Sequence, residues 1–224
     1  MTRIIQSFSI PDGSTAHHRL SEWKRDGANI SAIIQMLLES GQITDQETRL
    51  GDNWPRDWKR PTETVAEKMR NLKCILFDVD GVFTDGTILL DSGGNEQRRF
   101  SVIDGHGIAL LRNSGLLVGV VSREPSPITR ARMEKLRMAE LHVGAKDKSV
   151  VLRDIKARHD MSDDEIAFMG DDVPDLLAFD EVGLRLAPHN AQPTVRDAAH
   201  WVSLKAGGNG AVREACEVIL YCRN

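Results

Sequence analysis

Cysteine is scarce in this chain: Cys74, Cys216 and Cys222 are the only three in 224 residues. They form no CxxC pair and no even framework. Neither a disulfide scaffold nor a cysteine-built zinc site is therefore expected, and a reducing cytoplasm is the compartment that fits. Long apolar runs are also missing. No window approaches the ~18–20 apolar residues of a membrane span. The opening MTRIIQSFSI meets Pro11 and Asp12 without the apolar stretch of a signal peptide. A large charge excess is absent too, with 29 Lys and Arg against 33 Asp and Glu, a formal net charge of −4. That balance gives no general pull toward nucleic acid or anionic lipid, so neither is an expected partner, and an anionic ligand has to be drawn by a local site. What is present, 41% apolar and 28% charged residues, suits a globular domain with a sizeable appendage.

The pattern changes near residue 70. Residues 1–70 read as an extension, partly helical and of unassigned role. Within it ANISAIIQMLLESG has the apolar spacing of an amphipathic helix, and Trp23, Trp54 and Trp58 give the region aromatic surface that solvated tails rarely carry. From 71 to 224 short apolar runs alternate with helical segments. KCILF, LLVGVVS, ELHV, IAFM, GLRLA and WVSL read as strands, with a β-hairpin over GTILLDSGGNEQRRFSV turning at Ser92–Asn95. The expected fold is α/β, a Rossmann-like doubly wound parallel sheet with that hairpin inserted. In such sheets ligands sit at the carboxyl ends of the strands, so the polar residues there should converge.

Those ends carry Asp78 and Asp80, then Ser122, then Lys148, then Asp171 and Asp172. Taken singly, each has a plain explanation: a strand-end Asp caps a helix or turns the chain, Ser122 is an N-cap, and Lys148 is a solvated charge. Taken together they are chemically specific. Acids gathered at one edge repel one another unless a cation holds them, and oxygen-only ligation with no His or Cys nearby selects a hard ion, Mg²⁺. Ser122 and Lys148 remain as donors to an anion. A carboxylate nucleophile (Asp78), an acid–base two residues on (Asp80), a metal and an ammonium are the components of phosphoryl transfer.

FDVDGVFTDG, VVS, a helix-opening Lys and GDDVPD resemble the four motifs of the haloacid-dehalogenase-like phosphatases. FSVIDGHGI, GAKDK, VGLRLAP and GGNGAVRE narrow the likeness to the capless branch acting on 2-keto-3-deoxy sugar acids, typified by the 3-deoxy-D-manno-octulosonate 8-phosphate phosphatases. The resemblance covers about residues 71–222. It implies Asp78 as nucleophile and metal ligand, Asp80 as acid–base with its carbonyl on the metal, and Asp171 as the third ligand. Ser122 and Lys148 would be phosphate donors, with Asp172 and Asp175 in support behind them. It also implies that Ser101, Val102, Ile103, Asp104 and Gly105 touch substrate, Asp104 most directly. The expected assembly is a homotetramer joined through the hairpin, in which a neighbour's segment equivalent to Gly207–Gly210 reaches toward the site.

The chain departs from the octulosonate pattern at Ser122-Arg123-Glu124, where that type has Thr-Gly-Arg, and at Ala109, where it has Arg. A subgroup acting on nine-carbon acids is similar to this chain in Glu124, Arg132 and Lys135. The last two lie i,i+3 on one helix face and would clamp a carboxylate, unless they only form a solvated face. The expected substrate is the eight-carbon acid phosphate, with the nine-carbon 9-phosphate as alternative. A receiver-like signalling domain is disfavoured because its phosphorylated Asp comes on a later strand. A non-catalytic oligomerisation module is disfavoured because every motif residue is present.

Overall fold

The computed structural model describes residues 54–55 and 57–223. The amphipathic helix expected over 28–41, and Trp23 with it, lie outside the described residues. A compact unit begins at Asp57. Its first helix, α1, spans Glu63–Asn71, so the boundary expected at residue 70 falls inside a helix. Thr62 caps α1 through its Oγ1, and Val65, Ala66 and Met69 form the buried face.

Six strands make one parallel sheet: β1 (Cys74–Phe77), β4 (Leu117–Ser122), β5 (Glu140–Val143), β6 (Ile166–Met169), β7 (Leu184–Ala187) and β8 (Trp201–Val202), in the order β5-β4-β1-β6-β7-β8. The chain leaves β1 for one side, then crosses back to β6, so the order reverses between β1 and β6. That is the doubly wound arrangement expected from the alternation. All four residues of β1 and of β6 are buried, as central parallel strands covered on both faces require.

One face carries α4 (Lys148–His159), α5 (Leu176–Phe179) and α6 (Pro193–Ala198), which bury Leu152, Ile155, Phe179 and Val195 against Leu76, Val121 and Phe168. On the other face α7 (Ala211–Arg223) packs on α1 and on α2 (Val102–Asn113). Helix α3 (Pro127–Lys135) starts as its sequence predicts, with Ser126 as cap and proline in the first turn. The hairpin forms from β2 (Leu89–Leu90) and β3 (Glu96–Gln97), antiparallel. Asp91 closes its turn, accepting from the amides of Gly93 and Asn95 at 2.8 and 2.9 Å. No second domain is inserted among the described residues, and none of their helices is long and apolar enough to cross a membrane. All three cysteines are free and buried. Burial pushes Cys74 up to about 12 and Cys222 up to about 11, and lifts Cys216 as well.

Two loops meet tightly at the carboxyl edge of the sheet. A Cβ placed on Gly207 would fall 1.7 Å from the Gly81 carbonyl oxygen. Gly207 N donates to Asn190 Oδ1 at 2.9 Å, and Gly208 N donates to the Val82 carbonyl at 2.9 Å. The loop after β1 is thus braced by the segment leading into α7. Gly207→Ala is expected to cost about 1–3 kcal/mol, the range for overpacked positions, read as a fall in Tm by thermal denaturation. A variant melting with the wild type would show that the two loops can part freely.

Candidate active site

Four adjacent strands each deliver one polar side chain to the same edge. Asp78 follows β1, its amide still paired to the Met169 carbonyl at 2.9 Å. Ser122 ends β4, Lys148 opens α4 just beyond β5, and Asp171 follows β6. Together with Asp80, Gly81, Arg123, Glu124, Lys146 and Asp172, they line a cleft of about 570 Å³.

Lys148 is the organising charge. It is 2% exposed, and its Nζ lies 2.7 Å from Asp78 Oδ1 and 2.5 Å from Asp175 Oδ1. Burial alone would lower its pKa, but the carboxylates of Asp78 and Asp175 outweigh that, so its net shift is upward and it is held as an ammonium. Asp175 is fully committed. Its second oxygen accepts from the amides of Asp171 and Asp172 at 2.8 and 3.2 Å. Asp172 caps the short turn Val173–Asp175, its carboxylate accepting from Val173 N at 2.7 Å.

Carboxylate oxygens of Asp78, Asp171 and Asp175 lie within 4.8 Å of one another. With Asp175 occupied, Asp78 and Asp171 keep open lone pairs, and Asp171 Oδ1 is buried with no hydrogen-bond partner among the described residues. A Cβ on Gly81 would lie 1.9 Å from Asp171 Oδ2, so only glycine leaves that carboxylate its place. An oxygen-only set with unspent acceptors fits a hard divalent cation. Ser122 Oγ is likewise buried and unpartnered among the described residues, a hydroxyl left free to meet a ligand in the cleft.

Asp80 lines the same cleft, and its side chain meets Arg98, whose Nη1 donates to both of its oxygens at 2.9 and 3.0 Å. Sequence reasoning missed Arg98. The two-residue strand that precedes it is too short for its alternation to show which of Arg98 and Arg99 is buried.

The other expected contacts divide. Glu124 lines the cleft; Ser101–Gly105, Arg132 and Lys135 do not. Ser101 caps α2, while Val102 and Ile103 are 81% and 62% exposed. Asp104, expected to be the main polar contact in that stretch, is buried and caps α7 instead, accepting from Arg213 N at 2.9 Å and Gly210 N at 3.3 Å. Arg132 joins this group, donating to the Ser101 carbonyl at 3.3 Å beneath the Phe100 ring, where Gly105 leaves it room. Lys135 is exposed.

Burial, reinforced by the charge of Asp78, pushes Asp171 up to about 8 from its ordinary 3.8, and burial pushes Asp78 upward against the pull of Lys148. The folded chain therefore holds protons that the unfolded chain has released, and stability contributed by these groups is lost as pH rises from about 4 toward 8. In EDTA, the Tm should be higher at pH 5 than at pH 8, and Asp171→Asn should flatten that slope. A wild-type Tm that climbs toward pH 8 would contradict this account of the site.

Residues 128–214 match the model of the haloacid dehalogenase-like hydrolase family. The 3-deoxy-D-manno-octulosonate 8-phosphate phosphatase of Yersinia pestis is 33% identical over 72% of this chain and 87% of its own length. Among solved structures, a HAD superfamily (subfamily III A) hydrolase from Legionella pneumophila is 39% identical with a TM-score of 0.71, covering 72% of this chain and 89% of that one. The Moraxella catarrhalis 3-deoxy-D-manno-octulosonate 8-phosphate phosphatase, solved with a magnesium ion, a phosphate ion and KDO, is 32% identical with a TM-score of 0.71, covering 73% and 94%. Identity at this level over most of both chains, on one shared fold, settles the kinship: this chain belongs to the haloacid-dehalogenase-like phosphatases, in the 3-deoxy-D-manno-octulosonate 8-phosphate phosphatase family, and is a phosphoric monoester hydrolase.

Proposed function

We propose that this enzyme removes the terminal phosphate of a 2-keto-3-deoxy sugar acid, 3-deoxy-D-manno-octulosonate 8-phosphate, in the cytoplasm and with Mg²⁺. The observation that carries the reading is the convergence of Asp78, Asp171, Ser122 and Lys148 on one cleft, each of the first three with an oxygen open to a ligand. Asp78, Asp171 and the backbone carbonyl of Asp80 would hold the ion. The chemistry it supplies is neutralisation of charge on phosphoryl oxygens.

The chain's own residues do the rest. Ser122 Oγ and Lys148 Nζ donate to the transferring phosphoryl group, and Asp175 keeps Lys148 charged and aimed. A carboxylate oxygen of Asp78 attacks phosphorus, the bond to the sugar oxygen breaks, and Asp80 gives that oxygen its proton. Asp80, now a carboxylate, takes a proton from water as the water oxygen attacks the aspartyl phosphate. Inorganic phosphate leaves and Asp78 is restored.

A nine-carbon 2-keto-3-deoxy acid 9-phosphate is the second reading, favoured by Glu124 at the cleft, where it would accept from sugar hydroxyls. Turnover of the two sugar-acid phosphates side by side decides between them: a preference for the longer acid overturns the first assignment. Asp78→Asn is expected to lose at least about a thousandfold in kcat while keeping the wild-type circular dichroism spectrum. A variant retaining more would remove Asp78 as nucleophile.

The hairpin supports assembly. Ile88, Leu89 and Leu90 are 44%, 59% and 68% exposed, an apolar run that water alone covers poorly. We read it as the contact of a homotetramer. Leu90→Asp should shift the mass measured by light scattering from tetramer to smaller species, and a wild-type chain that elutes as a monomer would exclude the arrangement.

A further inference from the structure

Arg98, which follows β3 of the hairpin, has a side chain with no exposed surface. One nitrogen, Nη1, meets three acceptors: both oxygens of Asp80 at 2.9 and 3.0 Å, and Thr129 Oγ1 at 3.0 Å. It carries only two hydrogens, so the acceptors share them and the contact is directional as well as charged. Nη2 faces Glu96 Oε2 at 3.4 Å, and Nε is buried with no partner among the described residues. Thr129 is itself buried in the first turn of α3, where its amide donates to the capping Ser126 hydroxyl. The guanidinium is therefore fixed between α3 and the hairpin.

Asp80 has no comparable support of its own. Its carboxylate is 32% exposed at the cleft, and among the described residues Arg98 is the only group that donates to it. A free carboxylate in that position samples several rotamers; this one is held in a single setting. Arg98 does not line the cleft, so it can reach the reaction only through Asp80.

We propose that Arg98 is the positioning residue of the acid–base: it sets the Asp80 carboxylate toward the sugar oxygen that leaves, and it ties that setting to the seating of the hairpin on α3. The inference rests on the reading of Asp80 as the proton donor. Its signature is leaving-group dependence. A sugar or alkyl phosphate needs a proton on the departing oxygen, whereas 4-nitrophenyl phosphate departs without one.

The measurement is kcat/KM, which reports the steps up to aspartyl-phosphate formation, for an alkyl and for the aryl phosphate. Asp80→Asn tests the underlying reading: the alkyl substrate must lose more than the aryl, and equal losses there would remove Asp80 as the acid. Arg98→Met should then cost the alkyl substrate about 10- to 100-fold, a fraction of a full general-acid contribution, and the aryl substrate less than about threefold. Arg98→Lys, which keeps the charge and is the gentler change should Arg98→Met fail to fold, should recover most of the alkyl activity. In the Asp80→Asn background, Arg98→Met should add nothing. Equal losses on both substrates in folded Arg98 variants, or additive losses in the double variant, would overturn the inference.

Discussion

An ammonium group with almost no access to water sits between two carboxylates at the centre of this edge, and the rest of the site follows from that burial. Lys148 could not stay charged there alone. Asp78 and Asp175 keep it so, and in doing so they are placed themselves. Asp175 spends its remaining oxygen on the amides of Asp171 and Asp172, which fixes the turn that presents Asp171. The positive charge, the Asp78 carboxylate and the turn bearing the second open carboxylate are thus one hydrogen-bonded unit. Truncating any member would leave another buried and uncompensated.

Glycines complete the enclosure by what they omit. Gly81 yields space to the Asp171 carboxylate, and Gly207 yields it to the backbone of Gly81. The segment that closes on the loop after β1 is held from below by Asp104, whose buried carboxylate binds the start of α7. The acid of the FSVIDG stretch thus anchors the element that backs the loop after β1.

Much of this was legible in the residues alone. Apolar runs ending in acid or hydroxyl mark strand ends plainly, and the rule that such ends share one edge places Asp78, Ser122, Lys148 and Asp171 together, as they are found in the cleft. Helix starts were readable where a cap and a proline coincide, as at Ser126-Pro127. The pairings that the sequence did not reveal have a common cause. Asp104, Arg132 and Arg98 are polar residues whose main partners lie 18 or more positions away, and local periodicity carries no trace of such pairings. Arg98 and Arg99 are neighbours of the same type, yet one is enclosed against Asp80 while the other is 74% exposed beside Asp85. Only the tertiary seating of the hairpin separates them.

The three enclosed thiols have a practical corollary. With each sulfur shielded and held protonated, the folded surface presents no native target to maleimides or other thiol reagents. A single cysteine introduced at an exposed position away from the hairpin, such as Val150 on α4, would therefore carry a dye or spin label at one defined place against a silent background. Reaction of the native three would then serve as a clock for global opening of the chain.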